Sequence, residues 1–154
     1  MEERTNSNER ERIARLAPAC ICNNLRRAAR VVTNYYDEML GPTGLRVSQC
    51  TILVVLYLAG PQTINEIAEK LALDRTTLTR NLKPLTYNGL LTIASGSDQR
   101  TRVVTLTAQG EEALMRVLPL WEQAQAHMVK GIGKARVAKL LTQLSETTVL
   151  AQQD

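Results

Sequence analysis

The chain has 154 residues, 44% hydrophobic and 22% charged, with a formal net charge of +4. A chain of this size closes its own core without disulfides or metal, and its balance excludes a disordered or collagen-like polymer. No apolar run reaches the roughly 18 residues of a membrane span. The charged start MEERTNSNERERIARL is not a secretory signal, and three cysteines do not make a disulfide-stapled secreted fold. A soluble, cytoplasmic protein with no membrane partner is expected.

There is no Phe, and the aromatics are Trp121, Tyr35, Tyr36, Tyr57 and Tyr87, so Leu, Ile, Val and Ala must form the core. That suits helices. Ile21, Leu25, Ala28, Val32, Tyr35 and Met39 recur at helical spacing, with Pro18 in the first turn and Gly41, Pro42 and Gly44 as the stop. Ser48 is predicted to cap a second helix reaching about Ala59, apolar on all sides and therefore buried. After Gly60 and Pro61, Thr63-Ile-Asn-Glu66 forms a capping box that opens a short helix to about Leu71. Asp74 then caps a further helix that stops at Gly89, with Pro84 expected to kink or loosen it after Lys83. Helix, short turn, helix is the spacing of a helix-turn-helix.

Two strands follow, from Leu90 to Ala94 and from Arg102 to Leu106, joined by a Ser-Gly-Ser-Asp turn as a β-hairpin. Thr107 caps a long helix with Leu114, Val117, Leu118, Trp121, Ala124 and Met128 on one stripe, until Gly131 and Gly133 interrupt it. The last helix is apolar at Val137, Leu140, Leu141, Leu144 and Thr148. The terminal regions thus carry long apolar stripes that bury each other or a second subunit. The fold class is mainly α (α+β): a winged helix-turn-helix with one hairpin wing between N- and C-terminal dimerisation helices. Residues 1–154 form one subunit, with a DNA-binding lobe at 48–107 and helical dimerisation regions at 8–40 and 108–152.

Between Arg75 and Arg102 five basic residues stand against one acid, Asp98, so this segment carries the whole net charge of the chain. Concentrated positive charge is the footprint of a phosphate-binding surface. A helix fits the B-DNA major groove, which places Arg75, Thr76, Thr77, Thr79, Arg80 and Asn81 toward bases. Arg holds guanine with two bonds, Asn does so for adenine, and Thr offers a hydroxyl and a methyl group. Lys83 suits a phosphate. The hairpin tip holds Asp98, Arg100 and Arg102 as DNA-binding candidates; Arg100 suits a narrow minor groove, with Asp98 holding its guanidinium in a bidentate pair. Helix capping or a surface ion pair is the structural alternative for each threonine and for Arg80.

In order, Ile64-Asn-Glu-Ile-Ala-Glu-Lys-Leu71, Asp74-Arg-Thr-Thr-Leu-Thr-Arg80, Tyr87-Asn-Gly-Leu-Leu91, Asp98-Gln-Arg100 and Leu106-Thr-Ala-Gln-Gly110 resemble the MarR family of winged-helix transcription regulators. The resemblance implies a subunit of six helices and one wing, dimerising through its first and last helices. It also implies two recognition helices on successive major grooves of a near-palindromic double-stranded operator. Repression, relieved by a small ligand or an oxidant, is implied as well. A winged-helix protein-interaction module without sequence-specific DNA binding is the alternative function.

The cysteines are Cys20, Cys22 and Cys50. Free Cys commonly packs as a small hydrophobe. Yet Cys20 and Cys22 fall near a helix start, where unpaired N–H groups favour a reactive thiolate. By resemblance, Cys22 falls where the organic-hydroperoxide branch of the family carries its reactive cysteine. Tyr36 matches a tyrosine that bonds this cysteine across the dimer, and a second such tyrosine is Arg26 here. A soft-metal site from all three thiols is a rival, although side chains two apart on a helix diverge by about 200°. The single histidine, His127, has no metal-ligand spacing around it, and no phosphate loop or nucleophile elbow occurs. No enzyme, cofactor or resident metal is expected.

Overall fold

Pro18 closes the first helix instead of opening the second. The computed structural model describes residues 2–152 apart from 97 and 99, with side chains described from residue 8 onward. Helix α1 (Glu2–Ala19) carries Pro18 in its last turn, Cys20 breaks the helix, and α2 (Ile21–Leu40) follows. The apolar period from Ile21 onward did predict α2. The charged sequence before it has no such period, which left α1 unseen. Among the described residues there are seven α-helices where the resemblance implied six.

A single 3-10 turn (Gly41–Thr43) leads to α3 (Val47–Ala59), which buries Cys50, Ile52, Leu53 and Leu56. Its cap is Arg46, not Ser48. The Arg46 N–H is taken by Gln49 Oε1 at 2.9 Å, and the Val47 N–H by Asp37 Oδ1 at 2.7 Å, so the start of α3 is fixed from α2. Ser48 is thereby released for another partner.

The Thr63 box forms as predicted and opens α4 (Ile64–Lys70). Glu66 Oε2 accepts the Thr63 N–H at 2.7 Å, and this bond holds the Glu66 carboxyl below the usual carboxylate range. The turn to the next helix runs through Ala72 at φ 49°, a left-handed conformation that costs a non-glycine residue about 1–2 kcal/mol. Helix α5 (Arg75–Tyr87) starts on Asp74, whose Oδ1 accepts the Thr77 N–H at 2.8 Å. It continues through Pro84 to Tyr87, so the expected early loosening does not occur, and the Asn88 N–H still reaches the Pro84 carbonyl at 3.0 Å. Proline forfeits only its own N–H, and the turn that follows it is intact.

The hairpin gains a third strand. Strands β2 (Leu91–Ser95) and β3 (Arg102–Leu106) pair antiparallel, and the two-residue β1 (Gln62–Thr63) pairs with the other edge of β3, giving the order β1-β3-β2. Two residues are too few to show an alternation, so β1 left no signal in the sequence. Thr107 then caps α6 (Ala108–Ile132), accepting the Gly110 N–H at 3.0 Å while donating to the Gly89 carbonyl at 2.7 Å. Gly131 stays helical, and Gly133 alone separates α6 from α7 (Lys134–Ala151). One core, built from Leu40, Leu53, Ile67, Leu82, Val104 and Val117 among others, unites α3, α4, α5 and the sheet with the start of α6.

Candidate nucleic-acid interface

Helix α5 divides into two faces. Leu78, Leu82 and Leu85 point into the core and are buried. On the opposite side Arg75, Thr76, Thr79, Arg80 and Lys83 line one open groove. Positions 76, 79, 80 and 83 are one helical stripe, the spacing that lets a single face meet a partner. Arg75 sits at the first helical position, where the positive end of the helix dipole opposes a cation. A basic residue there does not serve helix stability.

Two residues expected on that face are held elsewhere. Thr77 belongs to the cap: its hydroxyl donates to Asp74 Oδ2 at 2.6 Å and its N–H goes to Oδ1. These bonds, the hydroxyl first, hold the Asp74 carboxyl below the usual carboxylate range. Asn81 is half-buried, with its amide donating to the Thr77 carbonyl at 3.0 Å and its Oδ1 accepting from the Ser48 hydroxyl at 3.1 Å. Ser48 is the residue the sequence reading missed here, because a serine at a helix start signals a cap. The Thr79 hydroxyl returns to the Arg75 carbonyl at 2.7 Å, and the residue is exposed.

In the wing, Arg100 and Arg102 are exposed. Asp98 does not take the Arg100 guanidinium as expected; its Oδ1 accepts the Arg100 backbone N–H at 3.0 Å and its carbonyl accepts the Thr101 N–H at 2.9 Å. A short carboxylate two residues back reaches the main chain before it can reach the end of an arginine. Asp98 therefore shapes the turn. Arg102 Nη1 donates to Ser95 Oγ at 3.2 Å, tying the two strands together beside the turn. Ser97 and Gln99, both in the expected turn, lie outside the described residues.

The three thiols do not converge. Cys50 lies 2% exposed in the core, where burial pushes its thiol up to about 11. Cys22 is exposed in the first turn of α2, and Cys20 is half-buried at the helix break. Among the described residues no three His, Cys, Asp or Glu side chains gather as a metal site. Tyr36 stands about 21 Å along α2 from Cys22 at 1.5 Å per residue, so within one subunit the two do not meet. Instead the Tyr36 hydroxyl donates to Gln125 Oε1 at 2.6 Å, and its ring packs edge-on to Tyr35 at 5.8 Å. Burial, with Tyr35 adding to it, raises the Tyr36 hydroxyl above its ordinary value. His127 is exposed and packs beside Tyr35, with ring centroids 5.3 Å apart.

Comparison with known proteins agrees with this geometry. A family model described as MarR family matches residues 43–101, from the 3-10 turn to the wing. The HTH-type transcriptional regulator YwoH of Bacillus subtilis is 34% identical over 92 residues, which are 60% of this chain and 67% of that protein. The chain belongs to the MarR family. A second B. subtilis relative of this MarR chain, an organic hydroperoxide resistance transcriptional regulator, is 31% identical over 58% of the chain and 62% of that protein. The transcriptional regulator MosR of M. tuberculosis, solved in complex with DNA, is 36% identical and superposes with a TM-score of 0.76 over 86% of this chain and 98% of its own. The chain is thus a MarR-family winged-helix transcriptional regulator, and its curated relatives are regulators, not enzymes.

Proposed function

We propose that this MarR-family chain acts as a homodimeric repressor of a near-palindromic double-stranded operator. The outward stripe of α5 carries the reading. Its inward face is consumed by the core, while Arg75, Thr76, Thr79, Arg80 and Lys83 stand together and exposed beside the basic wing. In this proposal Arg80 holds a guanine in the major groove, Thr76 and Thr79 contact thymine methyl groups, and Arg75 and Lys83 neutralise phosphates. Arg100 enters the neighbouring minor groove, and Asp98 and Arg102 hold the wing in shape. Thr77 and Asn81 contribute by fixing the helix. The M. tuberculosis relative solved in complex with DNA supports DNA as the partner.

Dimerisation falls to α1, α2, α6 and α7. Leu25, Val32, Met128, Leu140, Leu141 and Leu144 line an open apolar cavity of 380 Å³, and α7 buries none of its residues within one subunit. An apolar face of that extent calls for a second copy. Release from DNA is assigned to a small ligand or to oxidation of Cys22, the exposed thiol; the hydroperoxide-resistance relative supports the second route.

The test is selection of bound sequences from a random duplex pool, with and without cumene hydroperoxide, followed by affinity measurements across a salt series. A palindromic consensus is expected, with affinity falling steeply as salt rises because released counterions drive binding. Failure to retain any duplex in dilute buffer overturns the proposal. Retention without sequence preference overturns the reader role of Arg80.

A further inference from the structure

Helices α4, α5 and α6 each take their cap from the residue just before them, Thr63, Asp74 and Thr107. Helix α3 does not. Its cap position is Arg46, whose side chain holds donors and no acceptor. The Val47 N–H is an orphan donor of the helix start, and Asp37 Oδ1 accepts it at 2.7 Å from ten residues upstream on α2. A carboxylate at that point also meets the positive end of the α3 dipole. The link between the two helices is itself held, since Thr43 Oγ1 donates to the Leu40 carbonyl at 2.7 Å and accepts the Leu45 N–H at 3.2 Å. Packing does not fill the joint. An open cleft of 530 Å³ lies there, lined by Asn34, Asp37, Glu38, Gly44 and Arg46 among others. Leu40 and Leu45 anchor the link in the core, but apolar contact is non-directional. The direction of α3 relative to α2 therefore falls to the Asp37 bond.

What Asp37 holds reaches α5 in one further step. Ser48, the residue after Val47, donates to Asn81 Oδ1 at 3.1 Å, and the Asn81 amide donates to the Thr77 carbonyl at 3.0 Å. Thr77 in turn belongs to the Asp74 cap that starts α5. On the other side, Tyr36 donates to Gln125 Oε1 of α6 at 2.6 Å. Consecutive residues of α2 thus grip α6 through Tyr36 and α3 through Asp37. Directed bonds run without a gap from the helices assigned to dimerisation to the helix assigned to the major groove.

We propose that Asp37 is a positioning residue that sets the distance and angle between the two α5 helices of the dimer, and so the half-site spacing the protein accepts. This rests on the dimer and the palindromic operator proposed above. Each base pair inserted between two half-sites turns one of them by about 35° and moves it by about 3.4 Å along the duplex. A stiff joint matches one spacing and rejects its neighbours. A loose joint swings to meet several. It also holds the right one less tightly, because the second half-site meets its α5 helix at a lower effective concentration.

The experiment measures the affinity of the full chain for duplexes that carry the consensus half-sites at the selected spacing, at one base pair less and at one base pair more. The wild type is expected to prefer the selected spacing. In Asp37→Ala that preference should shrink by about 2- to 10-fold, the factor that one hydrogen bond contributes. Asp37→Asn keeps an acceptor oxygen in place and should restore the wild-type profile. Val47→Pro removes the donor from the other end of the same bond. Proline suits a first helical position, and Arg46 before it is already extended at φ −94° and ψ 154°. Val47→Pro should reproduce the Asp37→Ala profile, and it carries the test alone where circular dichroism shows Asp37→Ala unfolded. Equal losses at all three spacings make Asp37 a purely structural residue and overturn the inference, as does an Asp37→Asn profile as flat as that of Asp37→Ala. A wild type with no preferred spacing overturns the dimeric reading and this inference with it. A wild-type preference that Asp37→Ala and Val47→Pro both retain overturns only the role of Asp37.

Discussion

The Ser48 hydroxyl donates to Asn81 Oδ1 at 3.1 Å and so joins the start of α3 to the middle of α5. Asn81 passes the restraint on through its bond to the Thr77 carbonyl, one turn nearer the cap. The seating of the reading helix is thereby set from α3 as well as from the core. Ser48→Ala and Asn81→Ala are each expected to weaken operator binding by about 2- to 10-fold, the effect of one hydrogen bond worth about 0.5–1.5 kcal/mol. The double variant should lose no more than either single one, since both remove the same contact. Base preference should not change. A shift in preference at an adenine on Asn81→Ala would make it a reader instead.

Arg80 and Arg100 are both exposed, but they sit on different elements and are assigned different tasks. Arg80→Ala is expected to cost about 1–3 kcal/mol at one guanine position and to relax preference there. Arg100→Ala should weaken binding to all sequences alike. Competition titrations against single-base operator variants separate the two. Equal losses on every sequence from both substitutions would refute this division.

Much of this division was legible from residue chemistry alone. Asp74 and Thr63 marked helix starts because each is followed by a residue that completes a cap, and both caps form. The sequence reading turned Arg75, Thr76, Thr77, Thr79, Arg80 and Asn81 toward one partner, whereas the structure separates 76, 79, 80 and 83 on the face opposite Leu78, Leu82 and Leu85. What the sequence hid was competition for side chains. Asn81, Thr77 and Asp98 have the chemistry of DNA contacts, but each finds a partner within the protein. Ser48 and Asn81 are 33 residues apart, and no local pattern announces a bond at that separation. The break at Cys20 was hidden for a related reason: Pro18 was read as a helix start, and it lies in the last turn of α1.

Gly110 stands where the first turn of α6 crosses the link between α5 and β2. A Cβ there would collide with the Leu90 carbonyl oxygen and the Leu106 side chain. Both partners are fixed, since the Leu90 carbonyl accepts the Thr107 N–H at 3.1 Å and Leu106 packs on the core. Gly110→Ala should destabilise by about 1–3 kcal/mol, the usual penalty of overpacking. A melting temperature lower by several degrees, followed by circular dichroism, checks this; an unchanged melt rejects it.

Leu141 is 58% exposed in a single subunit and lines the apolar cavity between α2, α6 and α7. A carboxylate there costs the isolated subunit little but is desolvated in a dimer. Leu141→Glu is therefore expected to sediment as a monomer with an unchanged far-ultraviolet spectrum. Its operator affinity should fall by orders of magnitude, because the two half-sites are no longer linked. A dimeric Leu141→Glu protein would place the interface elsewhere.

Cys50 gives the fold a dependence on alkaline pH. Burial, reinforced by Asp37, raises its thiol from an ordinary 9.0 to about 11. The native state thus holds the proton more tightly than the unfolded state. The stability this contributes is fully present below pH 9 and is lost as pH climbs from 9 toward 11, where the unfolded chain ionises first. The melting temperature of the wild type should fall more steeply across that window than that of Cys50→Ala. Iodoacetamide at pH 8 should label Cys22 and Cys20 in the native protein and spare Cys50 until it unfolds. An identical alkaline slope in Cys50→Ala would assign the effect to another group, and native labelling of Cys50 would contradict its place in the core.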